Sequence, residues 1–598
     1  MNEKILKNFF YFSLFILLFV GPLILFKPAY DYTLIKNVAG YLFCLFLSIY
    51  FIFKNKEFTF SPLSIYPFLL FSVWILIRSF TAPFKYGASK SLEIFLLYMM
   101  IFLLSLNTEI EKRWIYFWIF SGLIAEMIGI FQYLSPKHYP ISTFGNPNFF
   151  AGHFLMVIFI SLALLFQKKF IKGEKEFLIF FLITGTYSLL ITKSRAAIFA
   201  YLASLSLFNF LKFRERKGIV KWLGFILFSL LLISLSPTIK KWINTNIRIY
   251  IWKGTWGLIS SRIITGWGFG NFIFFYPYYR VREYFLKPES TPVTDHAHCE
   301  YLEIWAETGI IGLILFLVFI FSILYQSKNF KEKQKSFLFS LCPGIICGIV
   351  AVLSDNIFST NLRNPSTSMF FWFLLGIAGG NFSKKKYISS HSKLLWLTIS
   401  IVSFIMVVFT SFYRILPEIY LKKGIIAKNI GKEMKKASLI LRKKGRIKES
   451  KEYMEEASRY FREAEKFYKM GCKINPFNYV LHYKLAYVYG ELNEFRKALK
   501  IYIYINKYLF PHFAKTDANL GTVYLALGDY KKAIYYYRWA EWFNPYDKDV
   551  LCSMASIYII FYHRIDKAKQ YLKRVLTIDP KNRYANRTLK LLGEKPGG

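Results

Sequence analysis

Residues 295–325 read DHAHCEYLEIWAETGIIGLILFLVFIFSILY, and the change of character inside this stretch decides how the chain is built. From Thr308 onward it carries no charged residue. The apolar run over 307–325 can cross a bilayer as a helix, which takes about 20 mainly apolar residues. Ahead of it, Asp295, Glu300, Glu303 and Glu307 are interspersed with aromatic and aliphatic side chains, as expected where a water-facing loop runs into a span.

Runs of the same kind lie near 9–26, 35–53, 60–80, 89–106, 114–134, 149–167, 177–193, 195–211, 219–236, 337–354, 367–382 and 394–413. Together they give about thirteen spans. They account for a hydrophobic content of 55% in a chain whose C-terminal part is visibly polar. Lys4 and Lys7 precede the first run and no small-residue cleavage site follows it, so an uncleaved first helix is expected. The tightest connection is Lys193-Ser194-Arg195. Glu93 and Glu126 fall within spans, where a carboxyl is costly and tends to pair with a cation.

The net charge is +42, yet no nucleic-acid-binding signature accompanies it, and nucleic acid is not an expected partner. The basic residues gather in alternate loops instead: Lys168, Lys169, Lys172 and Lys175; Lys212, Arg214, Arg216, Lys217 and Lys221; Lys328, Lys331, Lys333 and Lys335; Lys384, Lys385, Lys386 and Lys393. The intervening connections are sparse, with Lys137 alone in 135–148 and Arg363 alone in 355–366. Positive loops mark the cytoplasmic side, so the N-terminus is expected inside and the C-terminus outside. The long connection 237–306 then faces outward. It is rich in aromatic residues and carries Arg248, Arg262 and Arg280. Such a loop either seats itself among lipid headgroups or forms a platform for an anionic, sugar-bearing substrate, with guanidinium groups forking onto phosphate oxygens.

Past Tyr413 the pattern turns to charged and apolar residues with helical period. Pro476, Pro511, Pro545 and Pro580 recur about every 35 residues, close to the tetratricopeptide (TPR) period of about 34. The unit ending at Pro545 fits best, with Leu520, Gly521, Tyr524, Gly528, Ala533, Tyr537 and Ala540 at the offsets of that repeat. The array carries no catalytic signal and reads as a binding surface or a spacer. The fold class is therefore all-α: a polytopic membrane helix bundle followed by a TPR-like α-solenoid. Its expected divisions are 1–236, N-terminal membrane helices; 237–306, the large extracytoplasmic loop; 307–413, C-terminal membrane helices; and 414–598, the repeat array.

Four groups of residues carry a further signal: Asp295 to Gly312, Arg248 to Trp252, Gly266 to Phe272, and the pair Phe144-Gly145-Asn146-Pro147-Asn148 and Lys193-Ser194-Arg195. In this order and spacing they resemble the O-antigen ligase/polymerase superfamily, which includes lipopolysaccharide O-antigen ligases, O-antigen polymerases and protein O-oligosaccharyltransferases. The resemblance spans roughly 1–415 and is strongest over 244–312, where His298 is followed by Cys299, nine residues and Gly309. Cys299 stands where that family usually has Asn, Ser or Gln.

The resemblance implies transfer of a glycan from an undecaprenyl-diphosphate carrier to an acceptor, either lipid A–core, a growing glycan or a protein, at the outer face of the cytoplasmic membrane. It implies no cofactor and no metal. It points to His298 as general base, since an imidazole with a pKa near 6.5 takes a proton from a hydroxyl at neutral pH. Arg248 and Arg195 are the implied diphosphate ligands, followed by Arg262 and Arg280. The expected partners are the lipid-linked donor, the acceptor, membrane lipids and a protein docked on the array. Two other readings stay open: a multi-spanning transporter or flippase of lipid-linked glycans, and a membrane-anchored interaction protein in which only the array acts. The glycine turn over 266–270 lacks the strand and the Lys-Ser/Thr of a nucleotide loop and is expected to be a packing turn.

Overall fold

The computed structural model describes residues 3–136, 138–167, 170–213, 246–326, 337–382 and 387–593. It is a helical bundle joined to a helical array. Eight described helices are long and apolar enough to cross a membrane: Glu3–Leu23, Ile35–Phe53, Pro62–Phe80, Lys85–Ser105, Lys112–Leu134, Pro147–Leu165, Glu300–Gln326 and the long Ser392–Lys443. The shorter or less apolar helices Glu174–Ile191, Arg195–Phe213, Cys342–Asp355 and Pro365–Asn381 pack among them. The expected span at 219–236 and most of the basic loop residues, including Lys137, lie outside the described residues. The two helices around Lys193-Ser194-Arg195 are separate, turned at Lys193 by a left-handed φ of +55°.

Local sequence sets several helix starts. Asn146 and Asn364 each precede a proline at the first helical position, and each side chain accepts from the backbone N–H two residues on, at 2.8 Å. This cap answers one of the donors a helix leaves open. The motif around Asn146 is thus a helix start at the loop end of the bundle.

Connections gather at two ends. At one, the short strands Thr59–Phe60 and Tyr387–Ile388 pair antiparallel, and Trp396 Nε1 donates to Lys56 O at 2.7 Å. At the other, the connection that follows the 219–236 run folds over the helix ends. Over its described residues, from 246 on, its main element is the helix Ile247–Ser261. Asn271 bridges to Phe84 in both directions, accepting from Phe84 N–H at 2.9 Å and donating to its carbonyl at 3.1 Å. The glycine turn packs as expected. Gly266 lies against the Glu307 backbone and Gly268 against Ala82, both with positive φ, so no Cβ is accommodated at either position.

The array stands on the same end as this loop. Its first helix is the continuation of the last span without a break, through a π-turn at Thr410–Ile415. The boundary expected at residue 414 therefore falls inside one helix. Arg414 in that turn donates to Glu93 at 2.8 Å, the cation expected for one intramembrane acid. Glu126 takes the Thr184 hydroxyl at 2.7 Å instead. Helix pairs then follow, from Ile447–Ile474 through Arg583–Leu591. Small residues let the pairs close: Gly521 lies against the Tyr537 ring and Gly424 against Tyr468.

Phe274 is the loop's anchor in the array. It is buried in the array's core, stacked on Phe84 at 4.6 Å and 4.3 Å from the Phe510 ring centroid. Removing such a ring costs about 3–5 kcal/mol. Phe274→Ala is expected to speed amide hydrogen exchange in Tyr479–Glu491 and Ile505–Leu509 while leaving the spans protected.

Candidate functional site

The site is built on a break in the helix Glu300–Gln326. Gly309 adopts φ 73° and ψ 178°, a conformation open to glycine alone. There Ile310 N–H leaves the helical ladder and donates to Ile263 O at 2.9 Å. Residues 300–308 thus form a separate helical segment at the loop end, rather than the loop expected up to residue 306. On it, the spacing i, i+3, i+7 puts Glu300, Glu303 and Glu307 on one face.

One cation meets all three. Arg363 donates through Nε to Glu300 and through Nη1 to Glu307, both at 2.8 Å, and lies 3.7 Å from Glu303. It comes from the turn Asn361–Arg363, held where Asn356 accepts from Leu362 N–H at 3.1 Å. The fifth member is His296. Its Nδ1 lies 2.8 Å from Glu303 Oε1, and Glu303 Oε2 accepts from Ala297 N–H at 2.8 Å. Glu303 is 1% exposed, whereas 41% of the His296 side chain is open. That opening faces a cavity of about 540 Å³ which His296, Glu300, Glu303, Glu307 and Arg363 line together with Tyr479 of the array. Burial pulls the His296 pKa down, but the Glu303 carboxylate and its hydrogen bond outweigh it, so this imidazole is held above its ordinary value.

His298 sits on the same turn with a left-handed φ of +52° and is not among the residues lining that cavity. Its neighbour is Arg248, whose Nη1 donates to Phe358 O at 2.6 Å. Burial first, then the charges of Arg248 and His296, push the His298 pKa down to about 4. This lies below the value near 6.5 of an unperturbed imidazole and favours the neutral, proton-accepting form of His298. Burial likewise lowers the Arg248 pKa, against the pull of Asp355.

The other expected residues divide. Arg195 begins the helix Arg195–Phe213, one turn before Phe199, whose ring packs edge-on to Phe358 at 6.0 Å. Its helix thus packs on Phe358, whose carbonyl accepts from Arg248. Arg262 lies over the Trp267 ring at 4.0 Å. Arg280 is wedged against Tyr276, Tyr284 and Phe285 and donates to Pro292 O and Thr294 Oγ1 at 3.1 and 3.2 Å. Neither meets His298. Cys299 is buried, which raises its thiol pKa and keeps it protonated. No group of three His, Cys, Asp or Glu side chains suited to a metal occurs among the described residues.

Sequence reasoning did not place His296 or Arg363 in the site, and Arg363 entered it only as a lone loop charge. The signal was present. Three glutamates on one face of an apolar helix start require a cation, and Arg363 is the only one in 355–366.

Fold and site together define a multi-pass helical membrane protein with a buried acid–base network at its loop end and a repeat array beside it. A family model described as O-antigen ligase matches residues 178–317, and one described as tetratricopeptide repeat matches 518–540 and 549–582. Residues 178–317 are thus similar to O-antigen ligases, ahead of C-terminal TPR repeats, and this similarity supports a glycosyltransferase-like enzyme in general. No curated protein matches the chain.

Proposed function

We propose that the protein transfers a glycan from an undecaprenyl-diphosphate carrier to an acceptor, with its loop end and repeat array on the outer face of the cytoplasmic membrane. The observation that carries this reading is the approach of Arg248 to His298 inside the segment matched to O-antigen ligases. In the reaction an acceptor oxygen or nitrogen attacks the anomeric carbon, the bond from that carbon to the diphosphate breaks, and the electron pair leaves with the diphosphate. Arg248 and Arg195 neutralise the departing charge by charge-assisted hydrogen bonds. His298 is the general base: as the new bond forms, its imidazole takes the proton of the attacking acceptor group. Arg262 and Arg280 hold the loop in shape through their stacked rings. The acceptor is lipid A–core, a growing glycan or a protein, and the array supplies the docking surface.

His298→Ala is expected to lower glycan transfer roughly 100-fold or more, with membrane insertion and array folding unchanged. Full transfer by a correctly inserted variant would remove His298 from the reaction.

A further inference from the structure

The repeat array holds a cluster of like charges that glycan transfer does not use. Helices Leu416–Lys443 and Tyr479–Glu491 run side by side in the same direction, and their facing residues meet turn by turn. At one end Lys435 Nζ pairs with Glu491 at 2.7 Å. About one turn earlier, Lys432 Nζ lies 4.5 Å from the centre of the Tyr487 ring. One turn earlier again, a lysine meets a lysine instead of an acid. The charge of Lys484 acts there on Lys428, and that of Lys432 joins it. Lys484 Nζ is also 5.6 Å from the Tyr483 ring centre. Lys428 and Lys484 are half-buried, and Lys432 is exposed.

Three ammoniums gathered in this way repel one another. Burial first, then the charge of Lys432, lowers the pKa of Lys484. Glu491 is the acid that acts on Lys428, but Lys435 already holds it and the Tyr487 hydroxyl donates to it. Cations further along the array are answered differently: Lys515 meets Asp547 and Lys548 meets Asp579, both at 2.8 Å. The seam at Lys428, Lys432 and Lys484 therefore stands out as a place where negative charge is missing. It begins close to the site, since Tyr479, little more than one turn before Lys484, lines the cavity there.

We propose that this seam is a docking site for an acidic segment of a partner protein, whose carboxylates accept charge-assisted hydrogen bonds from Lys428, Lys432 and Lys484. The proposal goes beyond glycan transfer and stands whether or not that reading does. Charge complementarity carries it, and spacing favours a peptide over a phosphate group. Lysines one helical turn apart are separated by about 5.4 Å along the axis. Alternate side chains of an extended peptide fall about 6.5 Å apart, so successive carboxylates can reach successive ammoniums. A phosphate is one compact anion and suits a guanidinium fork better than a row of point charges.

The test uses the full-length protein in nanodiscs of zwitterionic lipid and a fluorescein-labelled oligoglutamate peptide, with binding read by fluorescence anisotropy. An oligoglutamine peptide is the neutral control. Because the whole chain carries a net charge of +42, a second pair of lysines, Lys443 and Lys444 at the exposed turn between the first two array helices, serves as the control for diffuse attraction. The double variant Lys428→Gln/Lys484→Gln should weaken oligoglutamate binding roughly tenfold or more, while Lys443→Gln/Lys444→Gln leaves it near the wild-type value. The midpoint of thermal unfolding should hold or rise in the first variant, because a repulsion is removed, which separates lost binding from lost folding. Equal weakening by the two variants, or no binding of oligoglutamate by the wild-type protein, would overturn the proposal. Displacement of the peptide by inorganic phosphate, and not by chloride of the same ionic strength, would assign the lysines to a phosphate-bearing ligand and overturn the peptide reading.

Discussion

Arg363→Met is expected to be the most damaging single substitution in the site, at about 3–5 kcal/mol, the cost of leaving one side of a buried ion pair uncompensated. The side chain is 15% exposed, and its three partners are each 6% exposed or less. Methionine fills much of the volume, so the loss is electrostatic. Three carboxyls then share one buried face with no cation and must take up protons or water. Arg363→Lys should rescue little, because a single ammonium does not reproduce the fork that reaches Glu300 and Glu307 at once. The measurement is the midpoint of thermal unfolding in detergent, expected to fall for both variants and further at alkaline than at mildly acidic pH. An unchanged midpoint for Arg363→Met would mean that the four charges are not coupled.

Gly309→Ala is the second. The backbone conformation alone costs a non-glycine residue about 1–3 kcal/mol. A Cβ at this position would also drive into the carbonyl of Ile264 and crowd Thr265 N. These atoms belong to the turn that carries Gly266, itself pressed against Glu307, so nothing near the clash is free to move. The expected outcome is loss of the segment 300–308 as a separate helical piece, and with it the pairing of His296 with Glu303. Protein yield in the membrane should drop, and any inserted protein should show faster hydrogen exchange over 300–308. A folded, active Gly309→Ala protein would contradict the break as the element that positions the acids.

Much of this was legible in the sequence, for definite reasons. Apolar runs report spans because the bilayer demands length and hydrophobicity at every position. The proline period reports the array because each repeat reuses the same close approaches, such as Gly521 on Tyr537. The site was legible only in part. The motif led to the turn at 295–299 but not to the imidazole on it that faces the cavity, since two residues one apart are sorted by a local left-handed φ at His298 and by partners distant in sequence. Arg363 lies 56 residues from Glu307 in the chain, and as a lone loop charge it carried only a topology signal. Arg280 was misleading in the opposite sense. Its position in an aromatic, basic loop suggested an anion ligand, while stacking and two carbonyl-side and hydroxyl partners bind it to the loop. The continuous helix Ser392–Lys443 was hidden as well, because the change of composition near Tyr413 falls inside a helix and does not end it.

Glycan transfer at the loop end is tested most directly with purified protein in nanodiscs, an undecaprenyl-diphosphate-linked glycan and an envelope extract, following the release of undecaprenyl diphosphate by mass spectrometry. A transferase releases the carrier while the extract gains glycan, and the His298→Ala protein does so roughly 100-fold more slowly. Donor that stays intact with the wild-type protein, or carrier released equally by the variant, contradicts glycan transfer at this site.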